Sequence, residues 1–238
     1  MNNFLNLDLN HLYSLFSQKR ILAYTSIKEH FDNLALIGCI SENLGIAEIL
    51  LRNKIDFLMS VENALWIENI PESLKPNFQN LSKDNFISRQ SLGFWLKIVD
   101  YYKIHTKIFS KDFLEHLNFK RYYAKNVNRF KNKANLQNYH KVSLLLYLLR
   151  NLRNRAFHFE NLYKLNEYNK PRLSAKLKDK SGFHIVINLE TNKIQVFLED
   201  LIKELIKRDF ENGGKASPRN ESNYTNKKVK ESLKDKDE

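Results

Sequence analysis

Apolar residues recur at three- and four-residue steps through most of this chain, which is the period of a helix with one buried side. Leu12, Leu15, Phe16, Ile27, Phe31 and Leu34 keep that step over 9–37. Ser41 reads as the N-cap of a second, long helix running through Ile46, Ile49, Leu50, Ile55, Leu58 and Leu65. Pro71 and Pro76 bracket a loop near 70–80, and a further helix over 86–103 carries Leu92, Phe94, Trp95, Ile98, Val99 and Tyr102. The cleanest stripe is Leu145, Leu149, Leu152, Ala156 and Phe159, one seam along a helix from about 139 to 159. Such a seam marks core or a partner helix. Phe183 to Leu189 reads as a short strand after Gly182, and Asn192 as the cap of a last helix through Ile194, Phe197, Leu198, Leu201, Ile202, Leu205 and Ile206. Beyond Gly213-Gly214 large apolar side chains almost vanish. The expectation is a mainly α protein: one helical domain over 1–210, a short β element near 183–189, and a disordered charged tail over 211–238.

Composition sharpens this picture. With 6 Gly and 4 Pro in 238 residues, an all-β fold rich in tight turns is disfavoured. A single cysteine, Cys39, rules out an internal disulfide and fits a reducing cytoplasm; its neighbours Ile37, Gly38 and Ile40 suggest a small core residue. No apolar run reaches the roughly 20 residues of a membrane span, and no secretory signal is visible, so the expected setting is cytoplasmic, away from membrane. Lys and Arg outnumber Asp and Glu by 39 to 27, a formal charge of +12. That excess suits a polyanionic partner, most simply RNA or DNA, although abundant Lys, Asn, Ile and Phe also follow from AT-rich coding. Over 118–140, Lys120, Arg121, Lys125 and Arg129 alternate with Tyr122, Tyr123 and Phe130. Cations there could neutralise phosphates while rings stack on bases; the plainer reading is a solvated face whose rings pack inward.

Candidate chemistry concentrates where the Leu-rich helix ends, at Arg153-Asn154-Arg155-Ala156-Phe157-His158. Metal-free RNA cleavage uses the adjacent 2′-hydroxyl as nucleophile. It needs a proton-transfer group and a cation on the crowded phosphate. His158 suits the first role and Arg153 the second, while Asn154 could orient the imidazole or hydrogen-bond a phosphate oxygen. Arg155 would be a supporting or solvated cation. On a straight helix Arg153 and His158 project roughly 140° apart, whereas Asn154 and His158 share a face. Hence Arg153 reaches around, the helix distorts, or a second copy of the chain completes the site across a two-fold axis. The plainer reading is that both residues serve the helix terminus. Glu48 and Arg52 are spaced as a surface i,i+4 ion pair. The seven histidines show no zinc-ligand spacing, and neither a Gly-rich phosphate loop nor a Gly-x-Ser-x-Gly elbow occurs. No metal or other cofactor is expected.

Three segments in order carry a resemblance. Glu48 to Asn53 within Ala47-Glu48-Ile49-Leu50-Leu51-Arg52-Asn53 resembles the Glu-x-x-x-Arg-Asn helix of bacterial abortive-infection (Abi-like) proteins, with Trp66 following. Gly93-Phe94-Trp95 resembles their Gly-Phe-Trp segment, and Leu152-Arg153-Asn154-Arg155-Ala156-Phe157-His158-Phe159-Glu160 their Leu-Arg-Asn-x-x-x-His-x-Glu signature. The resemblance covers about 45–160 and extends to the HEPN superfamily. It implies an α-helical, often dimeric bundle and a metal-independent ribonuclease with Arg153 and His158 as the catalytic pair and Asn154 beside them. Glu48, Arg52 and Asn53 would support the site. Phe157 and Phe159 depart from that pattern and would make the pocket more apolar. The function implied is RNA cleavage in phage defence or a toxin–antitoxin-type system, restrained by a protein antitoxin or a structured RNA regulator. A non-catalytic RNA-binding or regulatory helical protein is the alternative.

Overall fold

In the computed structural model the described residues are 7–75, 82–132, 134–178 and 182–207. Their architecture is mainly α, with one small antiparallel hairpin. The tail expected over 211–238, with Gly213 and Gly214, lies outside the described residues.

The chain starts with α1 (Leu9–Phe16) and a single turn, α2 (Gln18–Ile21). Ser17, at φ 65°, breaks the helical run expected over 9–37, and Ser26 caps the next helix. That helix, α3 (Ile27–Glu62), has 36 residues and spans about 54 Å. Ser41 therefore does not start a helix. It sits inside α3, and its hydroxyl donates to the Ile37 carbonyl, a bond helices tolerate. Ile37, Ile40, Leu44, Ala47, Leu51, Ile55 and Met59 form the buried side of α3 at three- and four-residue steps. Ile46 and Ile49 lie on its exposed side. Cys39 is exposed as well, one helical step off the buried stripe, which corrects its assignment to the core. An 18-residue window of α3 has a mean hydropathy of 1.7, long and apolar enough by length and composition to cross a membrane. The expectation that no such stretch exists is corrected; only Glu42 and Glu48 interrupt it between Leu34 and Leu51.

The helix expected over 86–103 is two: α4 (Lys83–Arg89) and α5 (Leu92–Tyr102), separated at Gln90 because Ser91 caps α5 by accepting from the Phe94 amide. The short α6 (Lys111–His116) follows. Next comes α7 (Asn138–Phe157), whose start is closed by a reciprocal Gln137–His140 capping box. Its Leu145, Leu149, Leu152 and Ala156 are buried as the seam requires. The helix stops before Phe159, which is exposed instead.

The strand expected near 183–189 is β2 (His184–Asn188). It pairs antiparallel with β1 (Ser174–Lys178), which the polar pattern Ser-Ala-Lys-Leu-Lys had hidden. Ala175 faces Ile187 and Leu177 faces Ile185 in the register, and the Asn151 amide ties β1 to α7 through the Ser174 carbonyl at 2.8 Å. Asn192 does not cap the last helix. It lies in a 3₁₀ turn, Thr191–Lys193, that leads into α8 (Ile194–Leu205).

Helices α5, α7 and α8 pack against α3, and β1 packs against α7. Trp66, Trp95, Phe119, Tyr122 and Phe197 fill the centre. Asp56, nearly buried, accepts from the Trp66 indole at 2.9 Å and meets Lys83 at 3.2 Å, so its charge is both hydrogen-bonded and paired.

Candidate functional site at the end of helix α7

The last turn of α7 closes with a Schellman arrangement. His158 is the C-cap; the Phe159 amide donates to the Ala156 carbonyl at 2.9 Å and the Glu160 amide to the Arg155 carbonyl at 2.9 Å. Phe159 occupies the left-handed position at φ 53°, where glycine is usual because a Cβ crowds the following carbonyl. The strained residue is thus adjacent to the candidate proton-transfer group. Three contacts hold it there. Arg20 Nη1 donates to the Phe159 carbonyl at 3.1 Å, and the buried Asn33 of α3 donates to the Glu160 carbonyl at 3.1 Å and accepts from the Leu162 amide at 2.9 Å. On the far side, Asn161 Nδ2 donates to the Ala23 carbonyl at 2.9 Å, stitching the segment after α2 to the same turn.

Arg153 and His158 leave α7 in different directions. Arg153 turns toward α3: its Nε donates to Glu48 Oε2 at 3.1 Å, and its guanidinium lies 5.2 Å from the Phe157 ring centroid. Glu48 is only 15% exposed at its side chain and Arg153 36%, so the pair is partly dry. The expected Glu48–Arg52 pair does not form, because Arg52 donates to the Ser88 carbonyl at 3.3 Å instead. Its Nε is buried without a hydrogen-bond partner. Asn53 is exposed on α3, and Asn154 is exposed on α7, where its carbonyl accepts from the His158 amide at 3.0 Å.

His158 turns the other way, into an open groove of about 320 Å³ between α2 and the chain from Phe159 to Arg172. Lys19, Arg20, Lys164 and Arg172 line the same groove, and Arg153 does not. Its one lining carboxylate, Glu160, is shared by Arg155 at 3.6 Å and Arg172 at 3.9 Å. Arg155 is held below its ordinary pKa, first by burial and then by Arg172, with Glu160 acting against both. Arg155 is thus largely buried, pairs with Glu160, and does not line the groove itself. Of the two rings expected to make the surroundings of His158 more apolar, Phe159 lines the groove beside it and Phe157 turns to Arg153 instead; both rings are about half exposed.

The basic stretch over 118–140 goes elsewhere. Tyr122 and Tyr123 are buried, as the plainer reading required. Arg121 is gripped at both ends by Asp200 of α8, at 2.7 and 3.0 Å, and Asp200 also accepts from the Tyr122 hydroxyl at 3.1 Å. Burial and that carboxylate push the Tyr122 phenol far above its ordinary range. Lys120, Lys125 and Arg129 are exposed, but none of them lines the groove with His158.

Sequence reasoning missed Arg20, Lys164, Arg172, Asn33 and Asn161. The Lys19-Arg20 doublet is a weak local signal; 138 or 139 residues separate Arg20 and Ala23 from their partners in the turn. No family model, curated protein or solved structure matches this chain.

Proposed function

We propose that the protein is an endoribonuclease built on a HEPN-like helical bundle, working in the cytoplasm in phage defence or a toxin–antitoxin-type system. The observation that carries this reading is the Glu48–Arg153 contact: two segments 105 residues apart, each resembling a different part of the Abi-like pattern, meet at 3.1 Å. Chance matches scattered along a helical chain have no reason to converge on one ion pair.

In the mechanism, His158 exchanges protons with the attacking 2′-hydroxyl or the departing 5′-oxygen. Arg153, oriented by Glu48 and the Phe157 ring, supplies charge and a planar donor fork to the phosphorane oxygens. Asn154 is a polar neighbour on the His158 face. Because Arg153 and His158 diverge within one chain, the complete site forms between two copies related by a two-fold axis, each giving an Arg153–His158 set to one cleft. Activity of this kind requires restraint by a protein antitoxin or a structured RNA.

The test is RNA cleavage in EDTA by the wild type and by His158→Ala, with product ends analysed. A 2′,3′-cyclic phosphate formed by the wild type alone is the expected result. Equal cleavage by both proteins removes His158 from the chemistry, and full activity from a strictly monomeric species removes the shared cleft. A binding-only reading is favoured by one observation: Arg153 already has a carboxylate partner and is absent from the groove that His158 lines. Growth arrest on expression of the wild type, absent with His158→Ala, decides for the enzyme.

A further inference from the structure

We infer that the groove between α2 and the Phe159–Arg172 segment is the track for the backbone of unpaired RNA, with Lys19, Arg20, Lys164 and Arg172 as phosphate-positioning residues that lead the strand to His158. This inference rests on RNA being the protein's substrate.

Charge is the first argument. Four cations converge on one concave surface, and Glu160, its one lining carboxylate, is engaged by Arg155 and Arg172. Among the described residues Lys19 and Lys164 have no ion-pair partner, and Arg20 spends one nitrogen on a backbone carbonyl. Like charges held together repel, and a polyanion relieves that repulsion while releasing its own counterions.

Rigidity is the second argument. Surface lysines in flexible loops attract phosphate without placing it. Here the walls are tied by Arg20 to Phe159, Asn161 to Ala23, and the buried Asn33 to both Glu160 and Leu162. The cations therefore project from a fixed frame.

Shape gives the third. Tyr24 and Phe159 line the groove together with the cations, and Phe159 is presented outward by its left-handed backbone. Rings beside phosphate-binding cations suit splayed, single-stranded bases, which stack on aromatic faces. A duplex buries its bases and would leave those rings unused.

The experiment measures binding of a fluorescein-labelled oligouridylate to the full-length His158→Ala protein across a salt series. Turnover is then slowed by ~10²–10⁴-fold, so that binding is read over the time of the measurement. Lys19→Gln/Lys164→Gln in that background touches no hydrogen bond of the frame, so loss of fold is not an alternative explanation. Each phosphate contact removed lowers the salt slope by about 0.7 for a single strand, so the double variant is expected to flatten it by about 1.4 and to weaken affinity at low salt. Arg172→Gln should add a further step, and an RNA duplex should bind with no preference for the intact groove. Lys97→Gln/Lys203→Gln removes the same charge from exposed positions on α5 and α8. An equal loss in that variant, or no loss in the groove variant, overturns the inference. Cleavage by the wild type in EDTA is measured alongside. Cleavage with groove-independent binding leaves the nuclease and removes the track; groove-dependent binding without cleavage leaves the track and removes the nuclease.

Discussion

On the α3 side of the end of α7, a guanidinium meets a carboxylate and an aromatic ring; on the α2 side, an imidazole lines a groove with four cations, one of which, Arg172, shares the groove's one carboxylate with Arg155. Five positions of one helix separate Arg153 from His158, yet their electrostatic surroundings are opposite. The first is satisfied with no ligand present, because unlike charges at 3.1 Å in a partly dry setting hold each other. The second carries more positive than negative charge, an excess that the proposed RNA backbone would offset. In the proposed reading, orientation belongs to the Glu48 side and recognition to the groove side, with a helix end joining the two.

The comparison is tested hardest by removing the imidazole. His158→Ala should lower RNA cleavage by ~10²–10⁴-fold, the usual range for a positioned proton-transfer group, while binding to oligouridylate changes little. A loss of binding equal to the loss of cleavage would make His158 a ligand contact only. Glu48→Gln probes the other side. It keeps the shape and removes the charge that steers Arg153, so turnover at saturating RNA should fall roughly ten- to a hundredfold through misplacement, with RNA affinity unchanged or tighter. A KM effect without a kcat effect would mean that Glu48 does not position Arg153 for chemistry.

How much of this was readable in the sequence differs between the two sides. The seam Leu145, Leu149, Leu152 and Ala156 fixed α7, because burial on one helical face writes a period into the chain. The same logic failed for Ser41, which looks like a cap but sits inside α3, since a serine can satisfy itself on the Ile37 carbonyl. It failed again for Phe159, whose seam position is cancelled by a left-handed turn that no phenylalanine advertises. Arg153 and Glu48 each stood out within a local motif, but their contact did not, since i,i+4 spacing pointed Glu48 to Arg52 instead. The groove was invisible for a stronger reason. Arg20, Lys164 and Arg172 come from two distant segments, and only tertiary folding makes them neighbours.

A smaller effect separates the two sides by acidity. His30 of α3 is buried with neither ring nitrogen hydrogen-bonded, against Phe16, Tyr24 and Phe31, directly beneath the wall that carries Arg20. Burial, then Arg20, hold its pKa below the ordinary 6.5. The unfolded chain therefore takes up the proton first as pH falls. His30 costs nothing well above pH 6.5, and the native state loses stability progressively below it. Because Phe16 of α1 and Tyr24, just after α2, pack against that ring, amide exchange over 17–24 should rise on going from about pH 7.5 to about 5.5, while the centre of α3 near Glu48 stays protected. His30→Phe should remove most of that acid response. An identical response in the variant would assign it to the protein's overall positive charge.

The smallest effect concerns the strained residue between the sides. Phe159→Gly places at the C′ position the residue that position favours, so relief of the left-handed penalty should raise stability by up to ~1 kcal/mol, read as a higher urea midpoint with an unchanged slope. Two terms oppose the gain: glycine gives the unfolded chain more freedom, and the half-exposed ring loses its remaining packing. A net gain accompanied by weaker oligouridylate binding is the expected pairing, because it means the ring is kept against its backbone preference for the sake of a ligand. A net loss of stability with binding intact would reverse that reading: Phe159 would then be holding α2 against the turn after α7, and the strain would serve the fold.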